Sequence, residues 1–164
     1  MAQISTFLFL KSGGSDIKGE SSMGQIAGVD VSAAIECLAY DEVVSVGYEP
    51  RSGKPTGDRT YEPIRIVKWV DRSSPELALS ATQSKACVAE FKFFRPSDVD
   101  AGLEHFFTVT VDEARVQRIR RYQVEGDQAA PAKEEVEFVF GKITWKHETE
   151  NTEHEDSWKN RSAG

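Results

Sequence analysis

The sequence is short of several residue types and motifs, and each shortage excludes a class of protein. Two cysteines among 164 residues give no disulfide framework. A chain of this length buries roughly 70% of the surface its unfolded form exposes and needs no such staple. Cys37 and Cys87 each sit in a strand-like run, IECLAY and CVAEFKF, and read as buried free thiols. His105, His147 and His154 have no metal-ligand spacing to one another or to the cysteines. No apolar run approaches the ~18 residues of a membrane span. Positive charge is the minority, 20 Lys and Arg against 27 Asp and Glu, for a formal net charge of −7. That balance opposes general nucleic-acid binding, which wants a basic face, and favours solubility at high concentration. The start, MAQISTFLFLKSGG, lacks the basic region and the length of a signal peptide. Synthesis in a cytoplasm is expected, and any export would need a dedicated machine.

Catalytic signatures are missing as well. There is no Gly-rich phosphate loop after a strand, no GxSxG elbow, no CxxC pair and no HExxH. The acidic pairs Asp41-Glu42 and Asp112-Glu113 place neighbours on opposite faces of a strand, where they cannot share a proton. The expectation is a protein without catalytic residues, cofactor or metal, used for binding or assembly.

What the chain does contain is strand periodicity. In residues 134–148, EEVEFVFGKITWKHE, Val136, Phe138 and Phe140 alternate with Glu135, Glu137 and Val139. After Gly141 the phase slips, and Ile143 and Trp145 carry the apolar parity. Such a slip at glycine marks a bulge or a bend. A second slip falls near Asp112-Glu113, inside a long run from 105 to 123, so two bends are predicted to match. Arg118 and Arg120 share one face of that run and Arg121 takes the other, which divides the basic cluster. Shorter strands are predicted at 6–11, 35–48 with an interruption at Asp41-Glu42, 64–70 and 87–95, with a turn of ordered polar groups at 16–22 and a plain connection at 23–34. Residues 126–133, GDQAAPAK, read as a turn.

Three other stretches stand out. Residues 49–60, EPRSGKPTGDRT, hold two Pro and two Gly but no aliphatic or aromatic side chain, and cannot enter a core. A polar segment that long is usually functional or disordered, and its strand-like flanks predict a hairpin-like excursion. RSSPEL predicts the start of a helix over about 75–85, with Ser74 as N-cap, Pro75 first and Glu76 in the first turn. Residues 149–164 lose alternation and are charged, so a flexible tail is expected after a single domain over 1–148. Asn160-Arg161-Ser162 matches a glycosylation sequon that a cytoplasmic chain would not use.

FLFLK followed by DIKGES, Lys68 leading into VDRSSPEL, FFTVTVDEARV, and EEVEFVFGKITWKHE occur in an order and spacing that resembles the haemolysin-coregulated protein (Hcp) family, the tube protein of bacterial type VI secretion systems. The resemblance covers residues 4–148. It implies a mainly β fold, an antiparallel barrel-like domain of two curved sheets with one flanking helix. It also implies hexameric rings that stack into a hollow tube, which a contractile sheath expels beneath a spike and whose lumen holds small effector proteins. The extended loop of the family maps by position onto residues 49–60. Glu49, Arg51, Lys54, Asp58 and Arg59 are thus the candidate residues for contacts between subunits or rings. Tubes of this kind assemble in the cytoplasm and are then secreted without a cleaved signal peptide, free of nucleic acid and of membrane insertion. The rival expectation is a monomeric β-barrel that binds a small ligand or peptide.

Overall fold

A computed structural model of the chain describes residues 4–126 and 132–158. Strand β1 (Ser5–Ser12) is apolar on both faces because both are covered, with Phe7 and Leu8 fully buried on opposite sides. Gly13 and Gly14, both at positive φ, turn it into β2 (Ser15–Ile17). The segment expected as a plain connection folds partly into a small hairpin, β3 (Gln25–Ile26) and β4 (Val29–Asp30). Ile26, Val31 and Ala34 there close over Phe7 and Phe94 as a second, minor core. The run 35–48 divides into β5 (Ile35–Cys37), β6 (Ala39–Asp41) and β7 (Val44–Tyr48), the last division falling at the expected interruption. β8 (Pro55–Tyr61), β9 (Ile64–Trp69), helix α1 (Ser73–Thr82) and β10 (Cys87–Pro96) follow. The chain then continues through β11 (Leu103–Tyr122), β12 (Lys133–Val139), β13 (Lys142–His147) and β14 (Thr152–Ser157). Most of the expected turn over residues 126–133 lies outside the described residues.

Every strand pairing is antiparallel, and the main ladder closes on itself. β1 pairs β10, β10 pairs β11, β11 pairs β12 and β12 pairs β9. β9 pairs β6, and β5, one residue before β6, returns to the free edge of β1. The result is a mainly β, barrel-like domain with one α-helix among the described residues. Its interior is filled by Leu8, Leu10, Ile64, Ile66, Phe91, Val136 and Phe138, all buried. Closure removes the exposed edges that an open antiparallel sheet would present.

Both predicted bends exist and they are one feature. β11 pairs β13 through its first half and β12 through its second, so it belongs to both curved halves of the barrel. Between the halves Glu113 takes φ +50°, and the Gly141 N–H donates to the Asp112 carbonyl at 3.2 Å. A Cβ on residue 141 would lie 2.5 Å from Glu113 Oε2 and 3.1 Å from Glu113 Cβ, so the Glu113 side chain would have to swing away and its Cβ give slightly to admit one. The 134–148 run is therefore two strands joined at a corner. Along β12, Glu135 and Glu137 do not face water alone: Arg118 lies 3.7 Å from each, and Arg120 lies 3.5 Å from Glu135. The split arginine cluster thus finds acidic partners inside the chain. Exposed pairs of this kind contribute about 0–1 kcal/mol each.

Two expectations are corrected. The helix begins at Ser73 and ends at Thr82, and Ser74 is not its N-cap. The N-cap position is Arg72, which makes no side-chain cap bond, and the Asp71 carboxylate just before it accepts the Ser73 N–H at 2.9 Å. Ser74 lies inside the first turn, where its buried hydroxyl donates to Glu134 Oε1 at 2.7 Å. Glu134 is wholly buried, Lys68 is 1% exposed, and the two are register partners joined by an ion pair. Asp71 lies 3.0 Å from the Lys68 ammonium, and Arg121 Nε donates to the second Glu134 oxygen at 2.7 Å. This cluster pins the helix N-terminus to β9, β11 and β12. The second correction is the tail, since Thr152–Ser157 is a strand paired to β13, not a flexible end. An edge strand with polar residues on both faces shows no alternation, which hides it from periodicity. Residues 159–164, including the sequon, lie outside the described residues.

Two measurements follow from the corner and the cluster. Gly141→Ala should destabilise the fold by about 1–3 kcal/mol in denaturant titration, and adding Glu113→Gly should recover part of the loss by removing both the clash and the positive-φ strain. A double variant no better than the single one would show that the close approach is unimportant. Glu134→Gln should cost about 3 kcal/mol, because it leaves Lys68 buried with one partner fewer. Burial raises the Glu134 pKa, but bonds from Lys68, Ser74 and Arg121 outweigh it and hold the carboxyl below its ordinary value; Asp71 is lowered in the same way. Stability from these groups is complete above the ordinary carboxylate range and is lost as pH falls through the lowered folded values. The Glu134→Gln variant should accordingly show a shallower acid transition than the parent; identical acid transitions would contradict the cluster's role.

Candidate assembly surface

Residues 44–61 leave the barrel as a separate two-stranded arm. Among the described residues β7 and β8 pair only with each other. The tip is a tight turn in which the Glu49 N–H donates to the Lys54 carbonyl and the Gly53 N–H to the Glu49 carbonyl, both at 2.8 Å. Gly53 stands at φ +70°, a conformation that suits glycine.

The five candidate residues have different places on this arm. Glu49 is occupied by the turn, accepting the Arg51 N–H at 3.0 Å and the Ser52 N–H at 2.7 Å, bonds that lower its pKa. Arg51, Lys54 and Asp58 are exposed, and among the described residues they form no ion pair. Arg59 is half-buried and turned back toward the barrel. Its Nε and Nη2 donate to the two Asp156 oxygens at 2.5 and 2.7 Å, and Nη2 also reaches the Ser157 carbonyl at 3.1 Å. The Arg59 guanidinium, with the Tyr61 hydroxyl, holds the Asp156 carboxyl below its usual range. Burial and that same carboxylate push the Tyr61 phenol up to about 12. The set is thus divided into an exposed tip and an anchored root.

A feature beyond those five is the arm's apolar face. Val44, Val46 and Tyr48 alternate along β7 and are 47%, 50% and 66% exposed. The signal was in the sequence, VSVGY, where period two reads equally well as a strand with a buried face. Asp156 had no signal, being one acid in a charged run.

Elsewhere the polar groups serve the fold. The Thr108 hydroxyl donates to Glu148 at 2.7 Å and lies 2.7 Å from His105 Nε2, but Thr108 is buried and the set ties β11 to the end of β13. Among the described residues no group of three or more His, Cys, Asp or Glu side chains could hold a metal ion. Cys37 and Cys87 are free thiols, Cys87 buried and Cys37 half-buried. A groove of about 340 Å³ lies between Phe9, Ile17 and Val88, outside the filled barrel.

Comparison with known proteins agrees with this architecture. The family model described as "Type VI secretion system effector, Hcp" matches residues 9–147. The "Major exported protein" of Pseudomonas aeruginosa (strain PAO1) is 32% identical over 130 residues, 76% of this chain and 75% of that one. The structure of the Hcp1 protein from E. coli EAEC 042 pathovar superposes with a TM-score of 0.81 at 29% identity, covering 95% of this chain and 99% of that one. For fold alone, the secreted protein Hcp3 from Pseudomonas aeruginosa gives a TM-score of 0.75 at 21% identity, with coverage of 95% and 99%. A closed barrel, a flanking helix, a projecting arm and these matches lead to one conclusion: the chain belongs to the Hcp family of type VI secretion proteins.

Proposed function

We propose that this chain is the repeating subunit of a secretion tube. Six copies form a ring, rings stack into a hollow tube, and the tube is expelled by a contractile sheath beneath a spike with small effectors in its lumen. The subunit is made in the cytoplasm and exported; it is neither an enzyme nor a cofactor carrier. Membership of the Hcp family supports the tube role, and the name of the Pseudomonas aeruginosa relative supports export. No described helix is long and apolar enough to cross a membrane.

The observation that carries the assembly reading is the exposed β7 face. Val44, Val46 and Tyr48 stay about half exposed or more in the monomer, and a projecting hairpin with an exposed apolar face gains stability when another surface covers it. A second copy is the occupant that closed, head-to-tail symmetry supplies. Arg51, Lys54 and Asp58 at the tip add charged contacts around that apolar centre, while Glu49 and Arg59 contribute by fixing the turn and the root. The rival reading, a monomeric barrel with a ligand inside, has little room: Phe91, Phe138, Ile64 and Ile66 fill the interior.

A double variant, Val46→Asp with Tyr48→Ser, should lower the equilibrium constant for self-association by about 30-fold or more, the effect of losing an aromatic anchor worth ~2 kcal/mol. Its circular dichroism should match the parent's. Rings formed as readily as by the parent, seen in light scattering and electron micrographs, would reject the arm as a contact surface.

A further inference from the structure

Among the described residues the arm has no strand partner in the barrel, so its direction depends on one backbone bond at its base, from the Glu62 N–H to the Val43 carbonyl at 3.1 Å, and on side chains. Those that reach the body come from the root of β8: Arg59 and Tyr61 both reach the C-terminal strand, and Tyr61 also stacks on Trp145 of β13 at 6.3 Å. Arg59 grips both oxygens of Asp156, and the Tyr61 hydroxyl donates to the same carboxylate. The Tyr61 ring meets Trp158 edge-on at 5.2 Å and Phe140 at 5.5 Å. Trp158 is itself fastened to the corner, its backbone N–H donating to the Gly141 carbonyl at 3.0 Å and its indole N–H to the Phe140 carbonyl. Across the hairpin Val46 is the register partner of Arg59, so both side chains project from the same face. Fixing Arg59 therefore aims the apolar face.

We infer that β14 is a latch for the arm and that Asp156 is its positioning residue. β14 is suited to release. It pairs β13 along one edge only, and its residues 152–155 are exposed. Few buried contacts and a free edge place a segment at the low end of local stability, where opening precedes global unfolding. With β14 docked, Arg59 and Tyr61 are held and the arm has one direction. With β14 undocked, Tyr61 keeps only its contacts with the Phe140 and Trp145 rings, and the two-stranded arm, marginal without support, opens more often and loses its aim. The C-terminal strand thus governs whether the arm is presented for assembly, an extension that rests on the contact role proposed above for the arm.

Hydrogen exchange separates the two ideas when it is read at a concentration where the parent is a single copy. In Asp156→Asn, backbone amides of residues 45–60 should exchange about tenfold faster, the effect of weakening a charge-assisted bond, while those of β9 and β12 stay at parental rates. A charge-exchanged variant, Arg59→Asp with Asp156→Arg, should return the arm toward parental exchange and so exclude general misfolding. Unchanged exchange in the arm of Asp156→Asn, or faster exchange spread equally over β9 and β12, would overturn the latch. Light scattering on the same variant at high concentration should show weakened assembly. A loosened arm with undiminished assembly would keep the latch and reject the arm's contact role instead.

Discussion

The corner at Gly141 is the constraint on which the rest of the molecule depends. β11 is 20 residues long and serves both halves of the barrel, so it must turn in the middle without breaking its ladder. Glu113 makes the turn at positive φ, and Gly141 passes close beneath it and bonds to Asp112, where a Cβ would press on the Glu113 side chain. Around that point β12 departs toward β9 while β13 departs toward β14. Residue 141 also accepts the Trp158 N–H, so the end of the described chain is tied to the place where the barrel bends. Curvature, closure and the position of the C-terminal strand follow from one close backbone approach.

The buried cluster around Glu134 is the second fixed point. Lys68, Glu134 and Ser74 have almost no contact with water, and Asp71 and Arg121 complete their bonds. Replacing such a set with apolar residues is often harmless, whereas removing one member is costly. Its specific effect here is placement: it sets the angle at which α1 leaves β9, and Leu77 then seals the barrel beneath it. From these fixed points the geometry runs outward to β14, then to Asp156, then to the root of the arm. Support among the described residues decreases along that path, from a filled core to a strand with one partner to a hairpin with none in the barrel.

Much of the fold could be read in the sequence, for a physical reason. Strands with one buried face must alternate, and Val136, Phe138 and Phe140 do; the slip at Gly141 and the slip at Asp112-Glu113 both appeared as phase changes. The failures share a cause as well. Ser74 followed by Pro75 and Glu76 looks like a cap, but the deciding groups are Asp71, three residues earlier, and Glu134, sixty residues later, and only the fold brings them together. β14 was missed because an edge strand that buries neither face has no period to detect. In the arm, the polar tip was visible as a stretch without apolar residues, and Arg51, Lys54 and Asp58 are exposed there. Arg59 seemed equivalent to them until Asp156, 97 residues away, took its Nε and Nη2.

Family membership, a closed barrel and an arm whose apolar face is uncovered together support a subunit built for self-association. The central claim concerns the number of copies, and native mass spectrometry of the unaltered chain at high concentration tests it most directly. The account predicts a dominant species of six subunits of 18.2 kDa each, with larger multiples where rings stack. A single 18.2 kDa species persisting at every concentration would contradict it.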